Sequence, residues 1–492
     1  MKARQPSTWP QLRSGGWLAP LVAACLTALL ALPLLTVAWN HFDGGISAST
    51  ATFTLHGLVP YRDFWLLYGP LSGWVLAIPT AIFGPSVELI RLAGLGVLCA
   101  QSAVVYHLCR RWVGPFPAVV LAVAASLLVA VFIGLEMTAW PVAMTMALLG
   151  LALRLGSGRP MVVGFLLGLA VLSRLDVGAY ALLAALVLPD RGRLLIGFGI
   201  CVAPVALVLL LLVPIASLVE QLVWYPLVGP RQFRGISGLD VLMPMAVAVP
   251  FTVVLAILPR LVIAVSIVRG LTQHRRDVLA IALFAALCQL QTLGRSDTAH
   301  YAVAMAPAIV AFAAMLPSDP RRALIGTAVA APALFAAAAM GMMIALSGLT
   351  PKDVALQRSV AVTLQATDRE TPIFVALSAN RYTVGNALLA YYLSDRAPGS
   401  RWTMFNPGVT NRDATQALIV SDLEATQTDL LILDEWGSEW YEATNDSRIP
   451  GSTVLDAYLA QHFRTWCDFG AYRVAVRTVW DPASPCPIGD GA

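Results

Sequence analysis

The stretch WLAPLVAACLTALLALPLLTVA, Trp17 to Ala38, runs for 22 residues without a charge. A helix of about 20 such residues is long enough to cross the hydrocarbon of a bilayer. Lys2, Arg4 and Arg13 precede it. It is too long for the core of a signal peptide and lacks a small-residue cleavage pattern, so it reads as a retained membrane helix. The chain then turns polar at Asn40-His41-Phe42-Asp43-Gly44-Gly45.

The remaining residues extend that pattern. Of 492 residues, 58% are hydrophobic and 12% charged, with a mean hydropathy of +0.74. A water-soluble chain carries about twice that charged share, so lipid must solvate much of this one. The net charge is +4, and no basic run with interleaved aromatics occurs, which argues against a nucleic-acid partner. Cys25, Cys99, Cys109, Cys201 and Cys288 lie in apolar runs and read as small core residues. Cys467 and Cys486 lie in the polar tail, where a disulfide can form if the tail is exported.

Further charge-free runs fall near 89–109, 116–135, 137–153, 161–173, 177–188, 194–214, 241–259, 278–293, 301–317 and 323–347. With the first they predict about eleven spans. Arg110/Arg111, Arg154/Arg159, Arg191/Arg193, Arg269/Arg275/Arg276 and Arg321/Arg322 occupy alternate short loops. Positive-inside bias places those loops and the N-terminus in the cytoplasm. The loops at 39–88, 174–176, 215–240 and 294–300, and the tail, then face outward. The runs 161–173 and 177–188 are each short for a core of about 30 Å. Fusing them would bury Arg174 and Asp176 in mid-membrane, so two short helices meeting at a wet cavity are expected. Residues 71–84 end in Phe83-Gly84-Pro85 and predict an interfacial helix.

The chain therefore divides into a multi-pass region, 1–348, and a tail, 349–492, of about 140 residues, enough for its own core. In the tail, Ile373 to Leu377 and Leu430 to Leu433 read as buried strands, and Tyr472 to Val479 as a partly exposed one. Helices are expected near 384–393, 413–424 and 453–463, with Asp413 and Ser452 as caps. Asp434-Glu435 has no evident partner and reads as surface. The fold class is thus a polytopic α-helical membrane protein with an extracytoplasmic α/β domain.

The outward polar residues carry the candidate chemistry. Asp43 lies just beyond a membrane helix, where desolvation raises a carboxyl's pKa and suits it to general-base work; the plainer reading is a turn cap with Gly44. Arg231 and Arg234 lie in Pro230-Arg231-Gln232-Phe233-Arg234, and Arg295-Ser296-Asp297-Thr298-Ala299-His300 joins two spans. Arginine forks and imidazolium are donors suited to a phosphate. Asp297 and His300 would share a helical face. Arg295–Asp297 and Arg174–Asp176 can equally be local ion pairs holding helix ends. Glu136 reaches the same side and reads as an interfacial carboxylate. Trp39, Trp65, Trp74, Trp140 and Trp224 lie near boundaries, where interface anchoring accounts for them. No CxxC or His/Cys cluster suggests zinc.

One long outer loop carries an early Asp43, the segment Gly57-Leu58-Val59-Pro60-Tyr61-Arg62-Asp63-Phe64 and then Tyr68-Gly69-Pro70-Leu71, which opens a short interfacial helix; Arg91 follows in the next helix. This order resembles the GT-C superfamily of membrane glycosyltransferases, particularly relatives of protein mannosyltransferases and lipid A aminoarabinose transferases. The resemblance covers the order of elements over nearly the whole chain and short motifs in its first half. It implies a catalytic centre at Asp43, with Arg231, Arg234, Arg295 and His300 binding the donor phosphate. Asp63, Glu136, Arg174, Asp176 and Asp297 are candidate cavity-lining residues. Arg174 stands where the aminoarabinose relatives carry Lys. Gly44 stands where many members carry a second acid, so a divalent metal is left open as a cofactor.

The implied activity is inverting transfer of a sugar from a polyprenyl-phosphate donor to a glycan, lipid or protein acceptor at the outer membrane face, with membrane lipids as surroundings. The competing readings are a carrier or flippase for a lipid-linked or polar molecule, and a non-catalytic envelope assembly protein that binds through its tail.

Overall fold

The computed structural model describes residues 17–156, 158–227, 257–294, 298–317, 319–345, 350–381, 385–406, 408–435, 451–479 and 486–487. The charge-free runs become helices because a backbone in lipid must satisfy its own hydrogen bonds. Helix α1 (Leu18–Ala31) continues as a 3₁₀ turn to Thr36. The others are α4 (Val87–Cys109), α5 (Pro115–Ile133), α6 (Ala139–Gly156), α7 (Pro160–Ser173), α8 (Leu175–Ala185) and α9 (Arg191–Leu212). After the short α10 (Ile215–Val219) come α11 (Leu258–Thr272), α12 (Arg276–Gln289), α13 (Thr298–Met315) and α14 (Pro320–Ala345). Among the described residues, six helices are long and apolar enough to cross a membrane; the expected count of about eleven includes shorter apolar helices such as α7 and α8.

The basic loops gather at one end of the bundle. Arg269 Nη1 donates to Met315 O at 2.7 Å, Arg111 lies within electrostatic reach of Asp277 and Arg275, and Arg154 within reach of Asp190. The expected break between α7 and α8 is present: Arg174 is extended, at φ −149° and ψ 112°.

The outer segment 39–88 holds one helix that was not expected: Asp43–Leu55, α2, is buried over nearly its whole length. It packs against α3 (Leu71–Phe83) and the tail. The span expected at 241–259 lies almost wholly outside the described residues, which resume at 257, and α11 runs from Leu258 through Arg260 to Thr272. Arg260 does not end the helix, because its Nη2 donates to Thr292 Oγ1 at 2.8 Å and its guanidinium lies over the Tyr301 ring.

The tail carries a four-stranded sheet in the order β1-β2-β4-β3. β1 (Ile373–Leu377) and β2 (Leu430–Asp434) are parallel, with Ile373 opposite Leu430. β4 (Tyr472–Arg477) runs antiparallel to β2 and to β3 (Phe463–Asp468). Helices α15 (Pro351–Ala366), α16 (Leu389–Ser394), α17 (Asp413–Ala425) and α18 (Val454–His462) complete it. Cys467 and Cys486 form a disulfide.

Neither α15 nor β3 was expected. Tyr472–Arg477 is more buried than expected, since it is an inner strand flanked on both sides. Asp413 is the first residue of α17 rather than its side-chain cap, while Ser452 Oγ accepts from Val454 N at 3.2 Å. Asp434 is buried rather than on the surface, paired with Lys352 at 3.3 Å.

Candidate active site

Asn40 Oδ1 accepts the backbone N–H of Asp43 at 2.8 Å, which caps the start of α2. Asp43 is exposed in the first turn of α2, where the positive end of the helix dipole favours a carboxylate. The two glycines behind it are set by close approach. A Cβ on Gly44 would fall 2.7 Å from Glu136 Cγ, and one on Gly45 2.5 Å from Leu389 N. Gly44 is therefore a packing position rather than half of a turn.

Glu136 is not an interfacial carboxylate. It is 3% exposed and pairs with Arg91, 2% exposed, at 2.9 Å. Burying two charges together requires that their remaining hydrogen bonds be filled. Arg91 fills its own by donating to Leu35 O, Val37 O and Ala38 O at 2.7, 3.0 and 2.8 Å. Glu136 also accepts from Asn40 N at 3.4 Å. The pair ties the exit of α1 to the start of the Asp43 helix.

Arg174 forms the opposite wall. Its Nε meets Asp176 Oδ1 at 2.9 Å, and its guanidinium carbon lies 3.9 Å from the Trp140 ring centre and 4.7 Å from that of Tyr68. Trp140 and Trp65 are buried, so neither is an interface anchor: Trp140 stacks under a cation and Trp65 on Trp402. Asp176 also accepts from Gln291 Nε2 at 2.7 Å. Arg174 Nη1 is buried and has no hydrogen-bond partner among the described residues.

Tyr68 reaches this wall because Gly69 N donates to Ser173 O at 3.1 Å, an approach so close that a Cβ on Gly69 would meet Leu172 O. Burial pushes the Tyr68 phenol up, opposed by Arg174 and reinforced by Asp43 and Asp176. Asp43, Arg174 and Asp176 thus each lie within electrostatic reach of Tyr68.

Asp63 stands apart from this group. It accepts Val59 N at 2.7 Å and pairs with Arg62, closing the turn that holds Tyr61 at φ 68°. His300 lies in the first turn of α13. Arg231, Arg234, Arg295 and Asp297 lie outside the described residues. Sequence reasoning missed Tyr68, Trp140 and Arg260 as members of this end of the bundle; an aromatic beside a lone cation at a helix break was the signal available for the first two. Among the described residues no three His, Cys, Asp or Glu side chains converge as for a metal. Glu136, the acid packed behind Asp43, is engaged by Arg91. Among the described residues, these donors do not make a divalent-ion site.

The chain shares its fold with solved structures of membrane glycosyltransferases, as the resemblance in its sequence leads one to expect. Its neighbours among solved structures include the aminoarabinose transferase ArnT from Cupriavidus metallidurans bound to undecaprenyl phosphate, at 15% identity and a TM-score of 0.57, covering 95% of this chain and 100% of that one. The apo state of ArnT matches at 15% identity and a TM-score of 0.58, covering 94% of this chain and 97% of that one. They also include the archaeal oligosaccharyltransferase AglB from Archaeoglobus fulgidus, in complex with an inhibitory peptide and a dolichol-phosphate. It is 12% identical with a TM-score of 0.53, covering 94% of this chain and 75% of that one. No protein-family model and no curated protein matches the chain.

Proposed function

We propose that the chain is a membrane glycosyltransferase that moves a sugar from a polyprenyl-phosphate donor to a cell-envelope acceptor on the outer face of the membrane, with inversion. The observation that carries this reading is the exposed Asp43 at the start of a buried helix, within electrostatic reach of Tyr68, whose ring lies against the Arg174 guanidinium. The basic loops lie at the other end of the bundle, which supports a cytoplasmic N-terminus and an outward site and tail. The Cys467–Cys486 disulfide supports an oxidising compartment for the tail. The two neighbours bound to polyprenyl phosphates support the donor class.

In this mechanism the acceptor hydroxyl attacks the anomeric carbon while its proton passes to a carboxylate oxygen of Asp43. The bond from that carbon to the phosphate oxygen breaks, and polyprenyl phosphate leaves with one further negative charge. Arg174, whose Nη1 has no hydrogen-bond partner among the described residues, donates to that phosphate. Arg231, Arg234, Arg295 and His300 add cationic donors on the same side of the membrane. Asp176 and Trp140 fix the guanidinium plane. No step passes through a metal.

Membranes containing the protein should transfer label from at least one of a panel of radiolabelled polyprenyl-phosphate sugars. Failure with every donor, together with movement of a polar or lipid-linked molecule across the bilayer, would favour the carrier reading.

A further inference from the structure

The segment that delivers Asp43 is held from outside the membrane helices. His41 is buried, with Nε2 2.6 Å from Asp353 Oδ1 and Nδ1 2.6 Å from the Tyr472 hydroxyl. Both partners belong to the tail: Asp353 sits in the first turn of α15 and Tyr472 opens β4. Asp353 Oδ1 also accepts Trp39 N at 3.1 Å, and its other oxygen takes Thr350 N at 2.7 Å. Behind Tyr472, its hydroxyl donates to Asp434 Oδ2 at 3.3 Å, and Lys352 pairs with the same carboxylate. The backbone is gripped as well. Leu389 N donates to His41 O at 3.0 Å, and a Cβ on Gly385 would press on the Phe42 ring at 3.0 Å.

Residues 39, 41, 42 and 45 thus each meet the tail, while Asp43 between them stays exposed. Asp353 is separated from His41 by 312 residues. A contact between such distant segments, buried and charge-assisted, is stronger than an ordinary neutral hydrogen bond. Helix capping by Asn40 alone fixes where α2 begins; it does not fix the orientation of that turn against the bundle.

We propose that Asp353, acting through His41, is a positioning residue that lets the tail domain fix the catalytic geometry of Asp43. The inference rests on the reading of Asp43 as the base. The tail is then part of the active-site scaffold rather than only a cover or an acceptor-binding module. Misplacing a general base by about 1 Å is enough to cost on the order of 100-fold in rate.

Two measurements on the full-length protein in membranes or detergent test this. Asp353→Asn keeps the side-chain shape and loses the charge that holds His41. It should lower kcat about 10-fold or more with donor KM changed less than about 2-fold, the pattern of a lost transition-state interaction. The second measurement needs no turnover. A cysteine in place of the buried Ser47 on the same helix should react with a hydrophilic maleimide at least about 3-fold faster when Asp353→Asn is added, because local opening governs access. The same protein without the introduced cysteine gives the background. Unchanged kcat together with an unchanged labelling rate overturns the proposal. A faster labelling rate with unchanged kcat leaves the clamp standing and refutes Asp43 as the base.

Discussion

Arg174 stacks on Trp140 at 3.9 Å while holding Asp176 at 2.9 Å, and its buried Nη1 has no hydrogen-bond partner among the described residues. A purely structural ion pair at a helix break does not need that spare donor. The planar guanidinium is what allows stacking, pairing and a free N–H at once.

Arg174→Lys should therefore be costly although it keeps the charge. An ammonium cannot stack as a plane and hold Asp176 while presenting a second fixed donor. We expect kcat/KM for the donor to fall about 10- to 100-fold, the range for one lost transition-state donor, with the protein still folded. Donor kinetics of the wild type and the Lys variant check it. Wild-type kinetics for the Lys variant would assign Arg174 to structure alone.

The Arg91–Glu136 pair should behave in the opposite way. Glu136→Ala leaves a guanidinium buried without its counter-ion, which typically costs about 3–5 kcal/mol; the three carbonyls that Arg91 also holds place this case toward the lower value. Thermal unfolding in detergent measures it. Arg91→Met combined with Glu136→Leu should recover much of the loss. A double variant less stable than Glu136→Ala contradicts the pairing.

Protonation of Asp353 gives a further test. Its burial pushes the carboxyl up, but the bonds from His41 and Thr350 outweigh that and hold it below the ordinary carboxylate range. A depressed folded-state value stabilises the fold above the unfolded pKa of about 3.9 and loses that contribution as pH falls through the folded value. The stability gap between wild type and Asp353→Asn should close as pH falls below about 4. A gap that widens on acidification would have the wrong sign.

Most membrane helices were legible in the sequence because a charge-free run has little alternative in lipid. The break at Arg174 was legible for the same reason: two charges cannot sit in mid-bilayer. Helix α2 was not, since Asp43–Leu55 is rich in Gly, Ser and Thr and shows no apolar stripe. Its burial comes from close approach to α3 and the tail, which no local pattern reports. Arg260 sits inside a helix because Thr292 and the Tyr301 ring accommodate its charge, contacts that no local pattern reports. Asp434 lacked a partner in sequence because Lys352 is 82 residues away. His41 was visible in the polar segment and Asp353 was not connected to it, for a contact spanning 312 residues leaves no periodic trace.

The disulfide bears on sidedness. With Cys467 and Cys486 joined, alkylation of the unfolded, unreduced protein should modify only Cys25, Cys99, Cys109, Cys201 and Cys288. Mass spectrometry after reduction should add two labels in the tail. Two tail thiols free before reduction, in protein from intact cells, would place the tail in a reducing compartment.

The most direct measurement is transfer from a radiolabelled polyprenyl-phosphate sugar by Asp43→Asn, a change that keeps the shape of the side chain and removes its basicity. The account predicts turnover reduced by at least about 100-fold, as for a lost general base, in a protein that still reaches the membrane and retains its disulfide. Wild-type turnover in that variant would contradict it.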